Sequence, residues 1–393
     1  MKCISFGNFD KKLLIPIAGG LIRLGYKYIL KSNSKYEILI QNPFLYNIYV
    51  NIGMILAFIP YLIIKCRIRN SSDNSKKLIN LSKLLNKARV DDHDLLKKKK
   101  FAKIRFIFYS TVFDLSQSLL YTFFALNNSF NLWNFDIILI SLFSYLILKT
   151  KIYKHQYISI IIIIILGVGI NITEAYKNDT QNTSNAFEIT MIFISEICFC
   201  LILVISKYNM EKNYCSPYEI CIWEGIIEFI LNIIFLVSFN LSGLTIVGIK
   251  YPENIKEYFE NLDYNDFFLF FITIIAYFFC NIFLLLTCYY FTPSHSLIIY
   301  IINDFHLYLR SSENIILNIA SFLILILIAF AFLIYIEIIE INICNISYDT
   351  KKHIEIRSES ESSIENEDLF SSNEEKEDGK SETLFPLSDI KIN

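Results

Sequence analysis

Five acidic side chains stand where a hydrocarbon layer would penalise them most. Asp114, Glu196, Glu224, Glu228 and Asp304 each fall inside a stretch of largely apolar residues. A charged group at the centre of a bilayer costs about 2.5–3.5 kcal/mol even on lenient insertion scales. Five of them together require neutralisation, pairing or contact with water, so they are expected to face an interior cavity. The chemistry open to them there is holding a polar solute or taking up and releasing protons.

Their spacing supports such a cavity. Asp114, Gln117, Ser118 and Tyr121 follow one another at i, i+3, i+4 and i+7, which places them on one helix face. Glu224 and Glu228 are i, i+4 neighbours, where two like charges repel; at least one is expected to stay protonated near neutrality. Tyr300, Asp304 and Tyr308 form another stripe, with Asn303 and His306 beside it, and Tyr277 and Asn281 form a fourth. Substrate- or proton-binding residues are therefore expected among Asp114, Gln117, Tyr121, Glu196, Glu224, Glu228, Tyr277, Asn281, Tyr300, Asn303 and Asp304. The plainer alternative is structural: Asp114 or Glu196 pairing with Arg23, or capping a neighbouring helix. His295, Asp136, Glu188, Glu337 and Glu340 are expected at the membrane boundary, and Lys27 and Lys207 to extend their charges towards it.

The elements that carry these residues follow from composition. Of 393 residues, 54 % are apolar, 16 % aromatic and only 19 % charged, more apolar surface than one soluble core of this length could hide. Ten apolar blocks read as spans: 13–30, 43–64, 106–125, 132–148, 157–172, 187–208, 218–239, 267–290, 294–309 and 315–336. The first is the weakest, with Gly19, Gly20, Arg23 and Lys27 inside it, and it is read as a span rather than a cleaved leader. Ile, Asn, Lys, Phe and Tyr dominate throughout, as AT-rich coding DNA tends to produce, so runs such as Ile160 to Ile165 carry little packing information.

Orientation is read from the basic residues. Fourteen Lys or Arg lie between Lys65 and Arg105, and Lys149, Lys151, Lys154, Lys207 and Lys212 fall on the same side. The positive-inside rule puts that side, and both ends of the chain, in the cytosol. Sequons at Asn178 and Asn182 fall on the opposite side, and none of the nine cysteines does. Residues 1–12 read as a cytosolic N-terminal segment, 13–172 as a first five-helix repeat with a basic cytosolic loop at 65–105, 187–340 as a second repeat, and 341–393 as an acidic, disordered cytosolic tail. Within the loop, Lys76 to Ala88 reads as a basic amphipathic segment suited to an anionic leaflet, or as an ordinary orientation-setting loop. Matching span centres are offset by about 160–175 residues in all five pairs, and five being odd, the second repeat is inverted. The fold class expected is all-α: ten transmembrane helices as two inverted five-helix repeats.

Two stretches carry a family resemblance. Lys151-Ile-Tyr-Lys-His-Gln-Tyr-Ile158, leading into a span that ends Leu166-Gly-Val-Gly169, resembles the fourth-to-fifth-helix junction of the drug/metabolite transporter superfamily (EamA-like). Ile194-Ser-Glu-Ile, Ser206-Lys-Tyr208 and Ser216-Pro-Tyr-Glu219 resemble its sixth and seventh helices, in a branch similar to nucleotide-sugar transporters. The resemblance covers about residues 10–345 and implies ten helices, cytosolic termini, a central cavity, and solute exchange or proton-coupled transport. The GALNK-type and FYNN-type elements of GDP-sugar transporters are absent, as is the Lys/Arg pair of sugar-phosphate transporters. An acid-rich cavity suits a cationic or neutral polar solute, so the substrate stays open between a nucleotide sugar and another polar metabolite.

The partners expected are a small-molecule solute, the lipid bilayer and coupled protons, with a homodimer left open; no nucleic acid, metal or other cofactor is expected. The setting expected is an endomembrane of Golgi, endoplasmic reticulum or vesicles. Non-transporting alternatives are a membrane-embedded transferase, whose roomiest loop, Asn240–Asp266, shows no ligand pattern among its acids, and a receptor or scaffold.

Overall fold

The computed structural model describes residues 4–6, 10–31, 43–70, 93–121, 135–177, 186–242, 245–246, 249–250, 264–309 and 315–341. The two sequons, the segment Lys76–Ala88 and the tail beyond Ile341 lie outside the described residues. The architecture is helical. In chain order the helices are α1 Leu14–Lys31, α2 Pro43–Ile55, α3 Phe58–Asn70, α4 His93–Leu120, α5 Asp136–Phe143, α6 Lys154–Lys177, α7 Ala186–Lys212, α8 Pro217–Ser242, α9 Tyr264–Tyr290, α10 Leu297–Leu309 and α11 Ile315–Tyr335. A five-residue π turn, Ser144–Leu148, extends α5. Two short antiparallel pairings complete the described elements: β1 (Ile4–Phe6) with β4 (Ile339–Ile341), and β2 (Thr245–Ile246) with β3 (Ile249–Lys250). The first brings the segments flanking α1 and α11 to one end of the bundle.

Among the described residues, five helical segments are long and apolar enough to cross a membrane: Phe44–Arg67, Lys154–Thr173, Phe187–Lys212, Pro217–Leu241 and Phe270–Tyr290. Asp136–Leu148 and Ile319–Tyr335 are shorter apolar helices. Their outward sides carry exposed Ile, Leu and Phe, such as Ile161, Ile165, Phe271, Leu323 and Leu327, as a lipid-facing surface requires.

The block expected to be one helix over 43–64 is broken at residues 56 and 57, between α2 and α3. Pro60 explains the break. It has no N–H to give the carbonyl of Leu56, and its ring crowds that carbonyl. The backbone tightens locally instead, with Ala57 N–H donating to Met54 O (3.1 Å) and Ile59 N–H to Leu56 O (3.0 Å).

The glycine pair that weakens α1 as an isolated span is what lets it pack. A Cβ on Gly20 would sit 2.8 Å from Cβ of Ile302 in α10. Small residues at such crossings let backbones approach closely. Helix α1 thereby packs on α9 and α10, α4 on α7, α5 on α7, α2 on α8 and α9, α4 on α8, and α6 on α11.

Candidate functional site

The α2–α8 seam positions most of the buried polar chemistry. On α8 the face towards α2 is set by Cys221, Gly225, Phe235 and Phe239. The Cys221 thiol donates to Met54 O (3.5 Å), a Cβ on Gly225 would lie 2.8 Å from Met54 Cβ, and Phe44 stacks on Phe239 at 5.3 Å between centroids. Phe235 closes the same corner, 6.2 Å from Phe44. The helices run antiparallel, so residues along the seam pair by level: Met54 with Cys221 and Gly225, Phe44 with Phe235 and Phe239. Glu228 and Asn232 continue the same face of α8, and Asn51 and Asn47 the same face of α2. All four are buried, at 3 %, 0 %, 1 % and 3 % exposure respectively.

Helix α4 adds Asp114 and Ser110 to this seam. Asp114, half-buried, hydrogen-bonds to Glu228. A hydrogen bond between two carboxyls needs a proton on one of them, so this pair is a place where a proton is held. The Ser110 hydroxyl donates to Glu224 Oε1 and lies 3.3 Å from the Ser206 hydroxyl of α7. Three of the five expected carboxylates, Asp114, Glu224 and Glu228, are thus brought together.

Glu196 is not placed with them. Glu196, half-buried on α7, lies within electrostatic reach of Cys200 and Tyr300, as does Asp136. Asp136, expected at the membrane boundary, is in fact 2 % exposed, tucked at the start of α5 where its carbonyl accepts from the Cys200 thiol (3.7 Å). Asp304 is a residue of α10 whose side chain lies outside the described residues, as do those of His306 and Tyr308.

A second polar centre forms where α1 meets α9 and α10. The Arg23 guanidinium carbon sits 4.2 Å over the Tyr300 ring, and Tyr277, Tyr121 and Cys280 also surround it. The partners of Arg23 among the described residues are phenols, in place of the Asp114 or Glu196 pairing weighed from sequence. Tyr277 is the hub: its ring meets those of Tyr26 and Tyr46 edge-on at 5.1 and 5.9 Å, and its hydroxyl hydrogen-bonds to that of Tyr46. One turn on, Asn281 is half-buried with no partner for its Nδ2, and Asn303 is buried on α10. Gln117 contributes its carbonyl, which accepts from the Ser195 hydroxyl of α7 (3.2 Å).

At the basic end, Lys103 of α4 and Glu219 of α8 form an ion pair of 2.6 Å. Ser216-Pro217-Tyr218-Glu219 begins α8 as a capping box, Glu219 accepting from the Ser216 N–H (3.1 Å) with Pro217 in the first turn. The Tyr61 hydroxyl donates to the other Glu219 oxygen (3.3 Å), so three helices are tied at one carboxylate. Burial works against the Lys103 charge, but the facing Cys215 and Glu219 outweigh it and hold the ammonium above the ordinary lysine value.

Asn47, Asn51, Asn232, Ser110 and Ser206 were not singled out from sequence. Their signal was the i, i+4 spacing of Asn47 with Asn51 and of Glu228 with Asn232, hidden by the abundance of Asn in the chain. Among the described residues no three His, Cys, Asp or Glu side chains are arranged to hold a metal ion. No family model matches the sequence, and no curated protein matches it as a relative.

Proposed function

We propose that this chain is a multi-pass membrane solute transporter of drug/metabolite type that works by alternating access between two inverted five-helix halves. The observation that carries this reading is a reciprocity in the packing. With α2 and α3 counted as one span, moving five spans along the chain exchanges α1 with α7, α2 with α8, α4 with α9, α5 with α10 and α6 with α11. Under that exchange the α4–α7 contact becomes α9–α1, α1–α10 becomes α7–α5, α2–α9 becomes α8–α4, and both members of each pair occur. The pairs α2–α8 and α6–α11 map onto themselves and are both extensive. An inverted repeat predicts such a pattern, and rocking of its halves about a midplane site is the known use of one. The β1–β4 pairing supports placing both flanking segments on one membrane face, the face of Lys103 and the basic loop.

In this reading the two polar centres divide the work. The Asp114–Glu228 pair holds and releases a proton. The ring of Tyr277, Tyr300, Tyr121, Arg23 and Asn281 surrounds the solute, its phenols and amide offering hydrogen bonds and Arg23 a fixed positive charge. The Lys103–Glu219 pair closes the basic end in one of the two orientations.

Uptake into proteoliposomes, screened across nucleotide sugars, sugar phosphates and organic cations at two pH values, tests the proposal. At least one class is expected to accumulate in a pH-dependent manner, with flux falling at least tenfold in Glu228→Gln and in Tyr300→Ala. Absence of flux for all three classes, or wild-type flux in both variants, removes the transporter reading as stated.

A further inference from the structure

The buried amides of the α2–α8 seam have no role in holding a solute at the tyrosine ring, and their hydrogen bonding is unfinished. Asn232 has no protein partner for either Oδ1 or Nδ2, Asn47 and Asn51 have none for Nδ2, and Glu228 has none for Oε1. Each of these side chains is at least nine-tenths buried, and no side chain of the neighbouring helices completes it. An amide or carboxyl group left in that state in an apolar interior is costly, because its desolvation is not repaid by a hydrogen bond. The general remedy for clustered polar groups of this kind is buried water making two to four hydrogen bonds.

The four residues are also in file. Glu228 and Asn232 are i, i+4 neighbours, about 6 Å apart along α8 at 1.5 Å per residue, with Glu224 a further turn back. Asn51 and Asn47 run level with them on α2, by the register that Met54–Gly225 and Phe44–Phe239 set. One end of the file is the Asp114–Glu228 pair. The other ends beneath a cluster of three rings, Phe44 stacked on Phe239 with Phe235 tilted against both. We propose that the α2–α8 seam holds a file of buried waters that carries protons between the Asp114–Glu228 pair and the membrane face bordered by Phe44, Phe235 and Phe239.

Each transfer exchanges one O–H bond for another: a carboxylate oxygen accepts a proton from the nearest water, which takes one from the next. The groups facing Asp114 and Glu228 are Glu224 and Cys221 from α8 and Ser110 from α4, with Ser206 of α7 behind Ser110, and Asn51 level with them on α2. Among these side chains is no fixed cation, so the proton is the positive charge the site accepts. The aromatic cap sets which face supplies it, because the opposite end is closed by Lys103 and Glu219. The proposal deepens the transporter reading by naming its proton route, and it rests on that reading for its purpose alone.

The test needs no solute. Full-length protein in lipid nanodiscs is moved from H2O to D2O, and the infrared carbonyl band of the protonated carboxyl, assigned by its loss in Glu228→Gln, is followed as it deuterates. Asn47→Leu/Asn232→Leu is expected to slow exchange at least tenfold, and Thr173→Val, at α6–α11 and outside the seam, to leave it within twofold. Asn232→Ser, which supplies a hydroxyl in place of the amide and leaves room for water, is expected to exchange at close to the wild-type rate. Should the double variant not fold, Phe239→Ala carries the test, with exchange expected at least threefold faster. Wild-type exchange in the double variant or in Phe239→Ala, or a wild-type band that Glu228→Gln leaves intact, overturns the water file. Exchange as expected with no solute flux removes the transporter reading alone; solute flux with exchange indifferent to the seam removes the file alone.

Discussion

Two helix pairs of this molecule pack extensively, α6 with α11 and α2 with α8, and they are built differently. At α6–α11 the contact is made by Ile163, Ile170, Leu325 and Ile328, all buried, with Gly169 against Ile324. Of the polar groups on these two helices, Thr173 and Ser321 bond to each other at 3.0 Å, while Ser159 Oγ and Asn171 Oδ1 of α6 have no partner but are not gathered into a layer with a carboxyl. At α2–α8 the corresponding layer holds Asn47, Asn51, Glu228 and Asn232, with polar atoms that no protein group satisfies. A close-packed apolar seam has one good arrangement, because separating it exposes apolar surface and forfeits its contacts. A polar seam bridged by water can exchange partners at little cost. Under the proposed transporter reading, the contrast makes α6–α11 the candidate fixed scaffold and α2–α8 the candidate part that opens.

That contrast is most easily broken on its apolar side. Leu325→Ala is expected to destabilise the protein by about 2–5 kcal/mol, read from thermal or denaturant unfolding in detergent, while flux per folded molecule stays within twofold. Asn232→Leu should give the reverse, with stability unchanged or higher and proton-dependent flux lost, since an unsatisfied amide is replaced by an apolar group of similar size. If both variants lost stability and kept flux, the two seams would not differ in kind.

Glycine substitutions sharpen the comparison at intermediate size. Gly225→Ala puts a Cβ 2.8 Å from that of Met54 and is expected to cost about 1–3 kcal/mol through overpacking. Gly169→Ala meets Ile324 Cδ1 at 3.6 Å, an ordinary contact, and the same unfolding measurement should find it neutral or mildly stabilising. The smallest effect belongs to the basic end. Lys103→Met removes a pair that is partly exposed on both sides, so about 0.2–1 kcal/mol of stability is expected to go. The folded lysine value is raised, so the pair's contribution is complete below the unfolded value of about 10.5 and fades only as pH climbs through the higher folded one. Stability differences between wild type and Lys103→Met should therefore be flat between about pH 6 and 9.

Much of the site was legible because helical spacing is fixed. Asp114 lies on the α4 face that meets α8, and Glu224 and Glu228 are stacked as i, i+4 neighbours must be. What could not be read is which stripe meets which. Arg23 looked like a counter-ion for a carboxylate, yet it sits over Tyr300, because Gly20 lets α1 approach α10 at that level. Asp136 looked like a boundary residue from its place at the start of a span, and the packing of α5 on α7 buries it. The asparagines were invisible for a statistical reason: in a chain rich in Asn, three more in apolar segments draw no attention until their burial is known.

Sequence by itself determined the helices, their apolar faces, the break that Pro60 imposes and the placing of carboxylates within hydrocarbon-length segments. These follow from local geometry and from the cost of charge in an apolar medium, both independent of how the chain folds back. Tertiary structure alone decided that three carboxylates meet while Glu196 stands with Asp136 and Tyr300, that the buried cation rests among phenols, and that two asparagines of α2 lie level with Glu228 and Asn232. Those outcomes depend on the register between helices distant in the chain, which glycine contacts and stacked rings set and no span can encode alone.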